Sequence, residues 1–182
     1  NPSDYLGKTL DGRYRLDSVL GQGGMGLVFA GLQTSMQRPV AVKTLNPALA
    51  MAPTFFERFK REAELASKLR HPNIITIYDF GRAADGTCYF VMELIEGESL
   101  RQQVKRDGPM PLRRAAAIIE QAALGLQHAH NQNVVHRDVK PHNIMISAVD
   151  GHEYVKVLDF GLVKVLEQEE EEQLTSTGQV LG

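Results

Sequence analysis

Apolar and polar positions switch period several times along the chain. Tyr14-Arg15-Leu16, Val19-Leu20, Leu27 to Ala30 and Val40 to Leu45 are short β-type runs cut by Gly and Pro, and they predict an antiparallel meander. From Thr54 the period becomes helical. Phe55, Phe59, Ala66 and Leu69 fall on one face, and Thr54 with Glu57 forms a T-x-x-E capping box at the start. Glu62 lies on the same face. A carboxylate there is costly unless it reaches water at the stripe's edge or points inward to a fixed cation. His71-Pro72 ends the helix. Ile74 to Phe80 and Tyr89 to Leu94 predict two more strands around an Ala84-Asp85-Gly86 turn.

Ser99 and Gln102 make a second capping box, opening a short helix that stops at Gly108. Pro111 leads into a long helix whose apolar positions are Ala115, Ile118, Ile119, Ala122, Leu126 and Ala129. The pattern then returns to β at Val134-Val135, Ile144 to Ile146 and Val155 to Leu158, with Asp150-Gly151 as a hairpin turn. The first half is a small sheet plus one helix. The second half starts helical and carries short strands bearing polar loops. A boundary falls near residues 93 to 98.

Composition narrows the class. The 182 residues are 43% hydrophobic and 23% charged, with a net charge of −2, as in ordinary globular proteins. No apolar run approaches the roughly 18 residues of a membrane-spanning helix. The single cysteine, Cys88, makes no internal disulfide or zinc cluster, so a reducing compartment is expected and Cys88 reads as a small core residue. Residues 162 to 182 carry five Glu and one Lys, or −4, which leaves +2 for residues 1 to 161. Neither value is a nucleic-acid footprint. The chain begins at Asn1 with no Met and no signal-peptide pattern, so the true start is expected upstream.

Gly21-Gln22-Gly23-Gly24-Met25-Gly26 matches G-x-G-x-x-G. Alone it is weak. Glycines let backbone N–H groups approach phosphates, but a dinucleotide fold needs a helix after the third glycine, and Leu27-Val28-Phe29 is β-like. Gly7-Lys8-Thr9 lacks the first glycine of a Walker A motif, so Lys8 reads as a surface lysine. Lys43 ends the apolar run Val40-Ala41-Val42 and by itself would snorkel to solvent. Beside an inward Glu62 and a glycine loop it reads as a phosphate-binding lysine held by a carboxylate. His136-Arg137-Asp138-Val139-Lys140-Pro141-His142-Asn143 is far more specific. Its carboxylate can accept a hydroxyl proton, its lysine can neutralise a phosphoryl group and its amide oxygen can bind Mg²⁺. Asp159-Phe160-Gly161 then follows an apolar strand and offers another hard oxygen ligand.

With these residues the chain resembles the protein kinases, most closely the eukaryotic-like Ser/Thr kinases of bacteria. Glycine loop, V-A-V-K, helix Glu, H-R-D-x-K-x-x-N and D-F-G occur in the family's order. The resemblance implies an α+β bilobal fold. Residues 1-13 would be a lead-in, 14-92 the N-lobe with its small antiparallel sheet, 93-97 the hinge and 98-182 part of a mainly helical C-lobe. It implies transfer of the ATP γ-phosphate to protein Ser/Thr hydroxyls with Mg²⁺, Mn²⁺ being an alternative metal. Leu20, Gly21, Gly23, Gly26, Val28, Ala41, Met92, Glu93, Ile95 and Met145 would hold the nucleotide. Lys43 would bind the α/β-phosphates and pair with Glu62. Asp138 would orient and deprotonate the substrate hydroxyl, and Lys140 would stabilise the transferring group. Asn143 and Asp159 would hold the metal. Ala66, Ile77, His136 and Phe160 match positions that stack between the lobes. Arg137 implies control by activation-loop phosphorylation, with Thr175 and Thr177 as acceptors and dimerisation as a route to trans-autophosphorylation.

The pattern departs from the family at its end. No A-P-E follows D-F-G before Gly182, so about a third of the catalytic domain is expected beyond it. The long helix should then lack partners on one face, and the chain alone should be poorly stable and inactive on proteins. The Glu run at residues 167 and 169 to 172 reads as a solvated stretch. A cytoplasmic kinase domain is implied, with tethering to a membrane left to absent C-terminal sequence. A pseudokinase-like binding or scaffolding module is the alternative, against which Lys43, Glu62, Asp138, Asn143 and Asp159 all stand. A small-molecule phosphotransferase is disfavoured by Lys140.

Overall fold

The computed structural model describes residues 2–23, 26–46 and 55–160. After a single 3₁₀ turn at Pro2–Asp4, five strands precede or flank one helix: β1 (Thr9–Leu10), β2 (Tyr14–Gly23), β3 (Gly26–Gln33), β4 (Arg38–Leu45), α1 (Phe55–Lys68) and β5 (Ile77–Arg82). β6 (Cys88–Glu93) completes a six-stranded antiparallel sheet in the order β1-β2-β3-β4-β6-β5. The expected meander is therefore present. Its Tyr14–Leu16 and Val19–Leu20 pieces are one strand, with a register shift between Val19 and Gly21 that leaves Leu20 as the bulged residue.

Strand alternation divides this sheet into two faces. Leu16, Phe29, Val40, Val42, Tyr89 and Val91 are buried together on one. Ala41, Phe90 and Met92 are on the other, where α1 packs through Phe55, Phe59 and Ala63. The ring centroids of Phe59 and Phe90 are 4.6 Å apart. Lys43 is two residues from Ala41 and pairs with Val28 and Phe90. It therefore shares the α1 face, and its burial follows from the sheet's period. Thr54, the expected cap of α1, lies outside the described residues.

The second half is β7 (Glu98–Ser99), α2 (Leu100–Asp107), α3 (Leu112–His130), a 3₁₀ turn at Pro141–Asn143, β8 (Ile144–Val149) and β9 (His152–Val157). The Ser99 capping box is formed: Gln102 N–H donates to Ser99 Oγ at 3.2 Å and Ser99 N–H to Gln102 Oε1 at 2.8 Å. β7, β8 and β9 form a three-stranded antiparallel sheet. The Asp150-Gly151 turn has positive φ at both residues, 52° and 78°, as a type I′ hairpin requires. The sheet packs on α3 through a core of Ile118, Ala122, Ala129, Val134, Ile144, Ile146, Val155 and Val157.

Three expectations are corrected. Val134 and Val135 form no strand. Val134 is buried beneath α3, and its N–H is taken by Ala129 O at 3.0 Å as the chain leaves the helix. β5 begins at Ile77, not Ile74, because this stretch bridges to β9 instead: Ile74 lies opposite Val157, whose O accepts from Ile75 N–H and whose N–H donates to Asn73 O. Ile119, placed on the inner face of α3, is 65% exposed. Gly125 takes part in the buried stripe with Ile118, Ala122 and Ala129, which rotates the inner face away from Ile119.

Candidate active site

The candidate site lies where the two halves meet. Asp138, Lys140 and Asn143 sit in the loop and 3₁₀ turn before β8, and Asp159 follows β9. The β8–β9 hairpin brings the two segments side by side, and Leu158 N–H donates to Asn143 O at 2.8 Å. Asn143 is buried, and its Nδ2 donates to Asp138 O at 2.9 Å and to Asp138 Oδ2 at 3.2 Å. Both amide hydrogens are thus spent on Asp138, which makes the amide oxygen the free end of the group. Lys140 Nζ is 2.5 Å from Asp138 Oδ2. Burial pushes the Asp138 carboxyl up, but the hydrogen bond and charge of Lys140, with Asn143 behind it, outweigh that and hold it below the ordinary carboxylate range.

His136 orients the loop from beneath. It is fully buried. Asp138 N–H donates to its Nδ1 at 3.2 Å, so Nε2 carries the proton and meets Leu158 O at 2.6 Å. Burial lowers its pKa despite that carbonyl and the nearby Asp159 and Asp138, so the imidazole is neutral. Its ring meets Phe160 edge-on at 4.7 Å. Ala66, Ile77 and Phe160 line one small cavity together with Met92 and Asp159, so the four stacking residues lie along a common seam. Arg137 and Asp159 hold left-handed backbone at φ 68° and 61°, a conformation that costs energy for residues with a Cβ and concentrates at functional sites.

Lys43 crosses between the halves. Its Nζ is 2.8 Å from Asp159 Oδ2, with the lysine side chain 8% exposed and the aspartate 22%. The cation foreseen for this cleft is therefore tied to the D-F-G aspartate. Glu62 is half-buried at the edge of the α1 stripe. Asn143 and Asp159 supply one amide oxygen and one carboxylate, hard donors of the kind Mg²⁺ takes together with phosphate oxygens. Among the described residues there is no group of three or more His, Cys, Asp and Glu that could hold a metal ion.

The glycine motif is a β-hairpin. Gly21 and Gly23 lie on β2 and Gly26 opens β3. Gly26 has φ 143°, and a Cβ there would stand 1.9 Å from Thr44 O, so only glycine fits. Val28 pairs with Lys43, and Ala41 with Met92. Glu93, at the end of β6, and Ile95 are half-buried. Met145 pairs with Ser99 just past this connector. Gly97 is forced by proximity, since a Cβ would meet Ile146 O at 2.2 Å. Arg137 is exposed, while Gly161, Thr175 and Thr177 lie outside the described residues.

Sequence reasoning missed the polar residues that join these pieces. Asn73 Nδ2 donates to Val155 O at 2.8 Å and to Gln121 Oε1 at 3.2 Å. Lys156 Nζ is 2.8 Å from Glu93 Oε1. A lysine alternating with valines reads as solvent-facing, and an asparagine after His-Pro reads as a helix end. Only the partners reveal either.

A family profile described as protein kinase domain matches residues 14–180. The chain is 40% identical over 181 residues to the serine/threonine-protein kinase pkn3 of Myxococcus xanthus, covering 98% of this chain and 33% of that protein. It is 41% identical over 184 residues to PknA of Mycobacterium tuberculosis, covering 99% and 41%. PrkC of Bacillus subtilis is 41% identical over 177 residues, covering 97% and 26%. The chain thus spans well under half the length of these relatives. Among solved structures, the Mycobacterium tuberculosis PknI kinase domain superposes with a TM-score of 0.76 at 32% identity, over 86% of this chain and 62% of that one. The hairpin over a buried lysine, the Asp138–Asn143 loop and Asp159 brought beside it are shared features of one family, and this chain belongs to it, the protein kinases, alongside the bacterial Ser/Thr members.

Proposed function

We propose that this chain is the nucleotide-binding and catalytic part of a Ser/Thr protein kinase that transfers the ATP γ-phosphate to protein hydroxyls. The observation that carries the reading is the convergence of Lys43, Asp138, Lys140, Asn143 and Asp159 from segments 116 residues apart. The glycine hairpin would cover the phosphates and offer backbone N–H groups to them. Lys43 would hold phosphate oxygens, with Glu62 of α1 as its carboxylate partner when Asp159 turns to the metal. Met92, Glu93 and Ile95 would face the adenine from the connector, with Leu20, Val28, Ala41 and Met145 above and below it.

Asn143 and Asp159 would hold Mg²⁺, or Mn²⁺ in its place. A divalent ion there neutralises charge building on the phosphate oxygens. Asp138 accepts a hydrogen bond from the substrate hydroxyl and takes its proton as the oxygen–phosphorus bond forms. The bond from the γ-phosphorus to its bridging oxygen breaks, and ADP leaves with that electron pair. Lys140, now against Asp138, would move its charge toward the transferring phosphoryl group. A low-pKa carboxylate is a weak base, which suits a reaction in which positioning and charge stabilisation supply most of the acceleration. Arg137 beside Asp138 would receive the phosphate of Thr175 or Thr177.

Incubating the full-length protein with radiolabelled ATP, Mg²⁺ and a generic basic protein tests the reading. Label should appear on Ser or Thr, and Asp159→Asn should lose it. Equal labelling in that variant overturns the site. ATP binding without transfer by the native protein would favour a pseudokinase.

A further inference from the structure

We infer that Lys156 is a positioning residue for nucleotide binding, acting through the side chain of Glu93. The inference rests on the kinase reading above and names a residue that reading does not use. Glu93 ends β6 and begins the connector between the two halves. Its Oε1 receives two donors, Lys156 Nζ at 2.8 Å and Thr76 N–H at 2.7 Å. Its own N–H donates to Thr76 O at 3.0 Å. Lys156 Nζ also reaches Ile74 O at 3.5 Å. Both charged side chains are only 22% exposed.

This places three segments on one carboxylate. Thr76 leads into β5. Glu93 carries the main chain that would meet the adenine. Lys156 lies on β9, opposite Met145 and three residues before Asp159. Exposed ion pairs contribute little because water competes and two long side chains must be ordered. Here the carboxylate is sheltered and shared with a backbone N–H, so removing the lysine leaves an acceptor with one donor and no counter-charge. Such a carboxylate turns toward water. The Glu93 peptide then loses the anchor that fixes its direction. Nucleotide binding must restore that order, and preorganisation lost from a site appears as weaker affinity. Lys156 itself touches none of the reacting atoms, so the bond-making step keeps its rate.

Full-length protein carrying Lys156→Met, Lys156→Arg, Glu93→Gln and the double change Lys156→Met with Glu93→Gln tests this. Calorimetry with ATP and Mg²⁺ is run beside steady-state phosphotransfer. Lys156→Met should raise both the Kd and the KM for ATP by roughly three- to thirty-fold, the range for residues acting without ligand contact, while kcat stays within about twofold. Lys156→Arg should restore most of the affinity. In the double variant Lys156→Met should add little to Glu93→Gln, because the lysine acts through that carboxylate. Native-like Kd in Lys156→Met overturns the inference. So does a fall in kcat at unchanged KM, or equal, additive losses in the double variant. If Lys156→Met does not fold, Glu93→Gln is read alone, and native-like affinity there is the overturning result. A native protein that neither binds ATP nor transfers phosphate overturns the kinase reading and this inference with it, whereas a working native enzyme with an unaffected Lys156→Met overturns the inference alone.

Discussion

Lys140 and Asn143 both stabilise the charged form of Asp138. Replacing Lys140 by Met removes the larger of these and leaves burial, which favours the neutral form. The Asp138 carboxyl should then titrate at higher pH than in the native protein, read from the ¹³C shift of its side chain. An unchanged titration would mean the ammonium is not felt. His136 makes a second residue-level prediction. Its folded pKa lies below the ordinary histidine value of about 6.5 because it is buried. The unfolded chain therefore binds the extra proton first as pH falls. The stability this group confers is whole above about 6.5 and declines below it, toward the folded pKa. Replacing His136 by Asn should flatten the fall in stability from pH 7 to 5 in denaturant titrations, while lowering stability at pH 7. Residue types and spacing announced both groups. The tautomer of His136 was not legible, because Leu158 O and Asp138 N–H reach it from loops 22 and 2 residues away.

At the scale of elements, close approach competes with intrinsic preference. Gly125 lies inside α3, where Ala is favoured by about 1 kcal/mol. A Cβ there would sit 2.7 Å from Asn73 O, a backbone atom held in place because Val157 N–H donates to it at 2.9 Å. Gly125→Ala should therefore lower Tm in a thermal melt, against its helix propensity. A raised Tm would show that the 73–76 segment yields easily. Gly26→Ala meets both a 1.9 Å approach to Thr44 O and φ 143°, and should weaken the glycine hairpin by at least about 1–3 kcal/mol in denaturant melts. Elements with a strong local signal were readable: the Ser99 box, the Asp150-Gly151 turn and the α3 period. Val134-Val135 misled because apolar β-branched residues also fill helix-packed loops, and nothing local shows whether a partner strand exists.

At the scale of the whole molecule, the described residues form two halves tied at few points. Lys43 with Asp159 spans the cleft. Val157 bonds to Asn73 and Ile75, and Lys156 to Glu93. A nucleotide with its metal adds ties of the same kind, so it should raise Tm. At a hundred times its Kd the gain is about 2.7 kcal/mol. Differential scanning fluorimetry of the native protein should show this shift with ATP and Mg²⁺, and Asp159→Asn should show little of it. A full shift in that variant would place the metal elsewhere. Leu112 and Ile119 of α3 are 84% and 65% exposed. No helix among the described residues is long and apolar enough to cross a membrane.

The amino-acid sequence by itself determined the family and the candidate chemistry. It named the cation, the carboxylates and the amide, their order, the family they belong to and most of the strands and helices that carry them, because those signals are local in type and spacing. Tertiary structure decided which partners meet. Lys43 finds Asp159, Glu93 finds Lys156, and Asn73 finds Val155 across 116, 63 and 82 residues. Such pairings depend on how two sheets and a helix pack, and packing is set by many weak contacts at once. No window of sequence contains them.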